Sequence, residues 1–157
     1  MELRNYQEQA ITDLSTSLAE GNKQVILQAA TGSGKTVMAA SLVNRAVDKG
    51  SSVLFLAHRR ELISQCSNKL SVFGINHGII MAGEDEEGWH SVQIASVDTL
   101  RARALSTNRM RLPKADIVII DECHRSLSKT YRTIISIYEK SFILGLTATP
   151  CRGDGLG

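Results

Sequence analysis

Apolar runs of strand length alternate with amphipathic stretches of helical period along the whole chain. The predicted strands lie at Gln24–Gln28, Ser52–Ala57, Ile75–Met81, Val92–Ser96, Asp116–Ile120 and Phe142–Leu146. The predicted helices lie at Leu3–Glu20, Thr36–Lys49, Glu61–Phe73, Thr99–Ser106 and Lys129–Lys140. Continuously apolar strands that alternate with helices indicate an α/β fold, with a parallel sheet covered on both faces. Because such sheets bind ligands beyond the carboxyl ends of their strands, we expect chemistry in the segments that follow the strands.

The segment after the first predicted strand has the pattern of a phosphate-binding loop. It reads Ala29-Ala30-Thr31-Gly32-Ser33-Gly34-Lys35-Thr36 and leads into a predicted helix. Glycines let backbone N–H groups curl around an anion, and a helix N-terminus favours negative charge. In this pattern Lys35 contacts the β- and γ-phosphates of a nucleotide, and the Thr36 hydroxyl binds Mg²⁺. The alternative is a flexible turn, and Ala29 departs from the general pattern, which has glycine there.

Two acidic residues, Asp121 and Glu122, follow the fifth predicted strand. An aspartate at a strand end can hold Mg²⁺ opposite the Thr36 hydroxyl. An adjacent glutamate can orient and deprotonate an attacking water. Alone, such a pair is often only the acidic start of a helix. Together with a phosphate loop in the same sheet, it predicts an ATPase whose catalytic residues are Lys35, Asp121 and Glu122.

Two further segments carry weaker signals. The hydroxyl groups of Thr147 and Thr149 follow the last strand and could hydrogen-bond the acidic segment, although a turn ended by Pro150 is the alternative. Gln7 could offer a donor and an acceptor to the edge of an adenine base. An exposed helix start accounts for Gln7 equally well.

Composition narrows the class of protein. The chain has 157 residues with 43% hydrophobic and 22% charged residues, which fits one globular domain over residues 1–157. No apolar run approaches the roughly 20 residues that span a bilayer, and residues 1–7 lack the apolar core of a signal peptide. The three cysteines are widely spaced, which favours a reducing compartment. We therefore expect a cytoplasmic protein without a membrane partner.

Charge and metal-ligand patterns add little by themselves. A net charge of +2 is too small to indicate nucleic-acid binding. The stretch 101–114 holds five basic residues and no acidic one, and a solvated surface is the simpler interpretation. Cys123 and His124 have no second pair at zinc-ligand spacing, which argues against a zinc site.

Taken in order, these segments resemble the motifs of the first RecA-like domain of a superfamily 2 helicase or translocase. The first motif of that superfamily has alanine at the Ala29 position, so the departure noted above supports the resemblance. The matching segments are Ala29–Thr36, Phe55–Leu62, Ala95–Leu100, Asp121–His124 and Thr147–Thr149. The chain is most similar to the DExH group that contains the ATPase subunits of type III restriction enzymes and their phage relatives.

This resemblance implies a three-layer P-loop NTPase fold of the RecA-like type, with ATP and Mg²⁺ as cofactors. The implied nucleotide contacts are Arg4, Gln7, Thr31, Gly32, Ser33, Gly34, Lys35 and Thr36, and the implied metal ligands are Thr36 and Asp121. Arg4 and Gln7 match positions that recognise adenine. His124 matches a residue that links the nucleotide site to the third motif.

The resemblance also implies nucleic acid as a partner. Arg59, Arg60 and Arg101 fall in or beside segments that face the nucleic-acid backbone in this superfamily. Cys123-His124 and Thr147 depart from the pattern of the RNA-directed DEAD-box proteins, which favours DNA over RNA. The superfamily works with two RecA-like domains, and the second supplies an arginine finger. The 157 residues match only the first domain, so we expect Mg-ATP binding with weak hydrolysis.

Three alternatives remain open at this level. The chain could be a nucleotide-dependent DNA- or protein-binding module without turnover, or a domain of an RNA helicase. It could also be a P-loop kinase or GTPase switch. A GTPase would carry an Asn-Lys-x-Asp guanine-binding motif, which the sequence lacks.

Overall fold

Every strand of the central sheet runs parallel to its neighbours. The structure is a computed structural model that describes residues 3–30, 32–84, 90–125 and 129–148. Its strands are β1 Gln24–Gln28, β2 Val53–Ala57, β3 Gly78–Ile80, β4 Val92–Ser96, β5 Ile117–Ile120 and β6 Phe142–Thr147. Within the described ranges they form one sheet in the order β1-β6-β5-β2-β4-β3. The sequence predicts a mostly parallel sheet, and all the pairings between these strands are parallel.

Helices on the two faces of the sheet complete a three-layer fold. They are α1 Asn5–Ala19, α2 Lys35–Asp48, α3 Arg60–Val72, α4 Val97–Leu100 and α5 Lys129–Ile137, with a π-helical turn at Arg101–Ser106 and a 3₁₀ turn at Cys123–Arg125. One apolar cluster joins α1, α2 and α3 to the sheet, and a second joins α4, the π-helical turn and α5 to it. None of the helices in the described ranges has the length and apolarity needed to span a bilayer. The predicted α/β architecture is confirmed.

The central strand β2 explains why the two clusters lie on opposite faces. All five of its residues are buried. Phe55 packs in the first cluster, whereas Leu54 and Leu56 pack in the second. Since successive side chains of a strand point to opposite faces, a continuous apolar run is what a strand covered on both sides requires.

The observed boundaries differ from the predicted ones mainly where pairing or capping decides them. The predicted strand Ile75–Met81 shortens to β3, because β3 is an edge strand with β4 as its neighbour and pairs only from Gly78 to Ile80. The predicted helix Thr99–Ser106 begins earlier, at Val97. The Ser96 hydroxyl accepts the Thr99 N–H at 3.4 Å and caps this helix, which then widens into the π-helical turn.

At the edge strand β1, the prediction of a sheet covered on both faces is not met. In β1 exposed and half-buried residues alternate, and the side chain of Ile26 is 61% exposed. β1 pairs with β6 and has no strand on its other side in the described residues. The continuous cover predicted from the apolar pattern therefore ends before this strand.

The parallel arrangement places the carboxyl ends of four neighbouring strands side by side. In the order β1, β6, β5 and β2, these strands lead into the loop at 29–34, into Ala148, into Asp121 and into His58. The phosphate loop, the acidic segment, Thr147 and the turn with Arg59 all lie at these strand ends. The parallel arrangement of the strands is therefore enough to bring these segments together.

At the amino-terminal ends of the strands, Ser52 and Asp116 are hydrogen-bonded to each other. These residues directly precede β2 and β5. The Ser52 N–H and hydroxyl donate to Oδ2 of Asp116 at 2.7 and 2.8 Å. The Asp116 N–H donates in return to the Ser52 carbonyl at 2.9 Å. These hydrogen bonds hold the pKa of the Asp116 carboxyl below its usual range.

Replacement of Asp116 by asparagine should make stability less dependent on pH. A carboxyl whose pKa is lowered on folding stabilises the protein above its unfolded pKa, and this contribution is lost as the pH falls through the folded pKa. We expect the wild type to melt at a higher temperature than Asp116→Asn at pH 7, and the difference to shrink as the pH falls from 7 to below about 4. Thermal unfolding across this range measures the effect. Asp48→Asn, at an exposed aspartate that ends α2, controls for the loss of one negative charge. A constant difference across the range would contradict the assignment.

Candidate functional site

The loop between β1 and α2 adopts the conformation that its glycines permit. Gly32 and Gly34 have φ angles of +79° and +84°, in the left-handed region that favours glycine. The Ser33 N–H donates to the Ala30 carbonyl at 3.0 Å and closes the turn. Gly34 forms the N-cap of α2, and its carbonyl accepts the Met38 N–H at 3.0 Å. The free N–H groups of the first turn of α2 therefore lie next to the loop, as an anion site requires.

Lys35 lies over this loop. It is the first residue of α2, and its ammonium donates to the carbonyls of Ala29 and Ala30 at 2.9 and 3.3 Å. Thr36 follows in the same turn and is half-buried. The predicted contact Thr31 lies outside the described residues. The Ser33 hydroxyl is buried and has no hydrogen-bond partner within the described ranges, which is the condition of a group that a ligand can satisfy.

Asp121 begins the acidic segment at the end of β5. Its N–H donates to the Leu56 carbonyl at 2.9 Å and so extends the pairing of β5 with β2. Burial raises the pKa of the Asp121 carboxyl, and the neighbouring Glu122 charge adds to this rise. The Glu122 N–H, which donates to Oδ1 at 2.9 Å, opposes the rise, and so do the charges of Lys35 and His124. The Lys35 charge thus acts on the Asp121 carboxyl, so the acidic segment and the loop lie within electrostatic range of each other.

Glu122 has a backbone conformation that is rare for its residue type. Its φ angle is +53°, in the left-handed region, which costs a residue with a side chain about 1–3 kcal/mol. The Glu122 carboxylate Oε2 lies 3.4 Å from Nε2 of His124, and its side chain is 35% exposed. Strained residues of this kind concentrate at functional sites, and the surrounding packing maintains them.

His124 connects Glu122 to the last strand. On its other side, its Nδ1 lies 3.3 Å from the hydroxyl of Thr147 at the end of β6. The contact expected between a hydroxyl after the last strand and the acidic segment is therefore present, with His124 as the partner. Thr149, the second hydroxyl considered, lies outside the described residues. In the described ranges, no group of three or more His, Cys, Asp or Glu side chains is arranged to hold a metal ion.

A glycine in β6 allows the acidic segment to lie directly on the sheet. A Cβ atom added at Gly145 would come within 2.7 Å of Sγ and 2.9 Å of Cβ of Cys123, distances that real Cβ atoms do not show. Cys123 is buried and begins the 3₁₀ turn between Glu122 and His124. The sequence analysis missed Gly145. A glycine inside an otherwise apolar strand was the available signal, since it often marks a close approach of another backbone.

The start of α1 lies against the phosphate loop. The Gln7 side chain is 6% exposed; its Nε2 donates to the Ser33 carbonyl at 3.0 Å and its Oε1 accepts the Arg4 N–H at 2.9 Å. The Tyr6 hydroxyl, which the sequence analysis did not single out, donates to the same Ser33 carbonyl at 2.8 Å. A cavity of about 230 Å³ opens here, lined by Arg4, Tyr6, Gln7, Gly32, Ser33, Gly34 and Val37. Gln7 keeps one N–H and one acceptor direction for a ligand.

On the other side of Glu122 lies the turn after β2. A cavity of about 130 Å³ is lined by His58, Arg59, Leu62 and Glu122. Arg59 and Arg101 are exposed, as expected of residues that face a polyanion. Arg60 is also exposed, but its guanidinium donates to the Ala82 carbonyl at 2.9 Å and so braces the end of β3.

Comparisons with known proteins agree with this arrangement. The model of the family described as "Type III restriction enzyme, res subunit" matches residues 1–152. A 51.5 kDa protein of a Lactococcus phage (isolate 7-9) is 33% identical over 84% of this chain and 25% of its own length. The DNA 3'-5' translocase XPB2 of Sulfurisphaera tokodaii is 31% identical over 99% of this chain and 32% of its own. The chain thus spans a quarter to a third of these relatives.

Solved structures show the same fold. The helicase domain of Pyrococcus furiosus Hef superposes with a TM-score of 0.76 at 23% identity, over 96% of this chain and 33% of that one. A nuclease-deletion mutant of the Type ISP restriction-modification enzyme LlaGI, in complex with a DNA substrate mimic, has a TM-score of 0.75 at 18% identity, over 96% of this chain and 18% of that one. At these identities the likeness concerns the fold.

The contact between Gly145 and Cys123 predicts that their substitutions are not additive. Gly145→Ala places a methyl group where Cys123 packs, and overpacking of this kind costs about 1–3 kcal/mol. In the background of Cys123→Ala, the same change should cost less than about 1 kcal/mol, because the smaller side chain leaves room for the methyl group. Urea unfolding of the wild type, both single variants and the double variant measures the coupling. Equal costs of Gly145→Ala in the two backgrounds would show that the contact does not position the acidic segment.

Proposed function

The chain belongs to the family of type III restriction enzyme res subunits, a family of helicase-type ATPase domains, and we propose that it is the ATP-binding half of an ATP-dependent DNA helicase or translocase. One observation carries the proposal. The phosphate loop with Lys35 and the acidic pair Asp121–Glu122 lie at the same edge of the sheet and are coupled electrostatically. A phosphate grip alone would fit many nucleotide-binding proteins. The acidic pair beside it adds the groups that metal-assisted hydrolysis needs.

Binding of ATP would exchange hydrogen bonds rather than create a site anew. The Lys35 ammonium would leave the carbonyls of Ala29 and Ala30 for the oxygens of the β- and γ-phosphates. The N–H groups of the loop and of the first turn of α2 would surround the phosphates. The Thr36 hydroxyl and the Asp121 carboxylate supply hard oxygen donors that fit Mg²⁺, which would neutralise phosphate charge.

Glu122 is the proposed general base. Its carboxylate would accept the proton of the attacking water, and His124 beside it would hold the carboxylate in place through the contact at 3.4 Å. We propose that hydrolysis by this chain alone is slow. In the superfamily that the chain resembles, a second RecA-like domain supplies an arginine finger, and such a finger accelerates NTP hydrolysis by about 10³–10⁵.

DNA is the proposed nucleic acid. The exposed Arg59 and Arg101 follow strands β2 and β4, at the same edge of the sheet as the ATP site. Contacts from arginines to phosphates are independent of sequence and weaken with salt. One relative is named as a DNA translocase, and one structure with the same fold contains a DNA substrate mimic. These findings support DNA rather than RNA for this chain.

The nucleotide site is tested by titration of Mg-ATP with two site variants and one control variant. We expect Lys35→Ala to lose measurable binding, because the phosphates lose their cationic partner. Lys49→Ala, at an exposed lysine that caps the end of α2, should bind like the wild type. Glu122→Gln should bind Mg-ATP normally and should lose any residual hydrolysis, which a single-turnover assay measures.

Three outcomes would contradict parts of this proposal. Unchanged affinity in Lys35→Ala would refute the phosphate site. Equal residual hydrolysis in Glu122→Gln would show that Glu122 is not the general base. Rapid multiple turnover by the wild-type chain would refute the dependence on a second domain.

The DNA-binding surface is tested by the salt dependence of oligonucleotide binding. Each phosphate contact that is lost should reduce the slope of log K against log salt by about one. We expect this from Arg59→Ala and from Arg101→Ala, to a similar extent for oligonucleotides of different sequence. Arg45→Ala, at an exposed arginine in the last turn of α2, is the control. Fluorescence anisotropy with single- and double-stranded DNA and with RNA measures all three variants. An equal effect of Arg45→Ala would show that only the net charge matters, and tighter binding of RNA would overturn the DNA proposal.

A further inference from the structure

Two side chains at the start of α1 donate to one carbonyl oxygen in the phosphate loop. The Tyr6 hydroxyl and Nε2 of Gln7 lie 2.8 and 3.0 Å from the carbonyl oxygen of Ser33. A carbonyl oxygen has two lone pairs, so these two donors saturate it. The donors come from 27 and 26 residues earlier in the chain. The contact is therefore tertiary and is not part of the local turn.

This pair of hydrogen bonds fixes the orientation of a peptide group that a phosphate site uses. The peptide between Ser33 and Gly34 is planar and trans, so its N–H points away from its carbonyl. Holding the Ser33 carbonyl toward α1 therefore directs the Gly34 N–H to the opposite side. Gly34 is the N-cap of α2, beside Lys35, and has a left-handed φ angle of +84°. A glycine in this position has several orientations available unless a contact selects one.

Tyr6 and Gln7 contribute in different ways. Gln7 is packed: a Cβ atom added at Gly34 would come within 2.5 Å of its Nε2, and its side chain is almost completely buried. The Tyr6 side chain is 47% exposed, so its ring is not needed to fill the core. Its hydroxyl is the part that reaches the loop. Removal of this hydroxyl therefore deletes one hydrogen bond and leaves the packing of α1 in place.

We propose that Tyr6 is a positioning residue for phosphate binding. Its hydroxyl, together with the Gln7 amide, holds the Ser33 peptide in the orientation that binds phosphate. Both residues also line the cavity of about 230 Å³ beside the loop, together with Arg4, and the resemblance implies that Arg4 and Gln7 recognise the adenine base there. Residues beside the proposed adenine site thus donate hydrogen bonds to a carbonyl group of the phosphate loop. This inference rests on the proposed ATP site and assigns a role there to a residue outside the matched motifs.

The test compares Mg-ATP with inorganic tripolyphosphate in the presence of Mg²⁺, since tripolyphosphate has no base. We expect Tyr6→Phe to weaken both by a similar factor, about three- to tenfold, which is the effect of losing one neutral hydrogen bond. Calorimetric titration measures both ligands. Tyr138→Phe is the matched control, because the Tyr138 hydroxyl also donates to a backbone carbonyl, that of Pro113 at 2.7 Å. It should leave both affinities unchanged.

The other outcomes separate this inference from the proposed function. Weaker binding of Mg-ATP with unchanged binding of tripolyphosphate would overturn it, since Tyr6 would then act on the base. Unchanged binding of both ligands would overturn it as well. If the wild type shows no binding that depends on Lys35, the proposed function fails and this inference fails with it. Thermal unfolding of Tyr6→Phe close to that of the wild type, with both affinities weakened, would exclude a merely structural role.

Discussion

Parallel pairing of the strands is the constraint on which the site depends. Residues that carry the proposed chemistry are far apart in the sequence: Lys35, Arg59 and Glu122 belong to three separate strand–helix units. In an antiparallel sheet the ends of successive strands would alternate between two edges. Because every strand here runs in one direction, the segments after β1, β6, β5 and β2 lie next to each other in that order. The position of each functional segment follows from the place of its strand in the sheet.

The acidic segment shows how the fold supports a strained residue. Glu122 has a left-handed backbone conformation, which costs a residue other than glycine about 1–3 kcal/mol. The next residue, Cys123, packs on β6 where Gly145 leaves room. His124 then reaches both Glu122 and the Thr147 hydroxyl. β6 thus holds the segment at Cys123 and His124, the two positions after Glu122, and this support opposes relaxation of the backbone.

Much of the fold could be predicted from the sequence, since the relevant signals are local. The bounds of β1 and β4 agree with the apolar pattern to the residue, and the glycine-rich loop appears between a strand and a helix as predicted. The local pattern does not predict features that depend on the neighbouring elements in the fold. β3 is shorter than its apolar run because its pairing with β4 covers only Gly78–Ile80. Ile26 is exposed because cover of the sheet ends at β1, which no periodicity within β1 reveals.

In the candidate site, too, some features could be predicted from the sequence and others could not. The phosphate loop and the acidic pair were predictable, because their chemistry demands particular residue types at fixed spacing. The roles of Tyr6 and Gly145 were not. The Tyr6 hydroxyl donates to a carbonyl 27 residues away. Gly145 matters because it has no Cβ atom, which leaves room for Cys123. Neither relation has a fixed spacing in the sequence, so only the tertiary structure brings it to light.

Adjacency at the sheet edge also bears on how ATP and DNA would influence each other. β5 and β2 are neighbours, so the segment with Glu122 and the turn with Arg59 follow adjacent strands. Both residues line the same cavity of about 130 Å³. A DNA phosphate held by Arg59 would therefore change the electrostatic potential at the Glu122 carboxylate directly, because charges this close are little screened by salt. On this geometry the proposed DNA and ATP sites can be coupled through charge alone, without a change of fold between them.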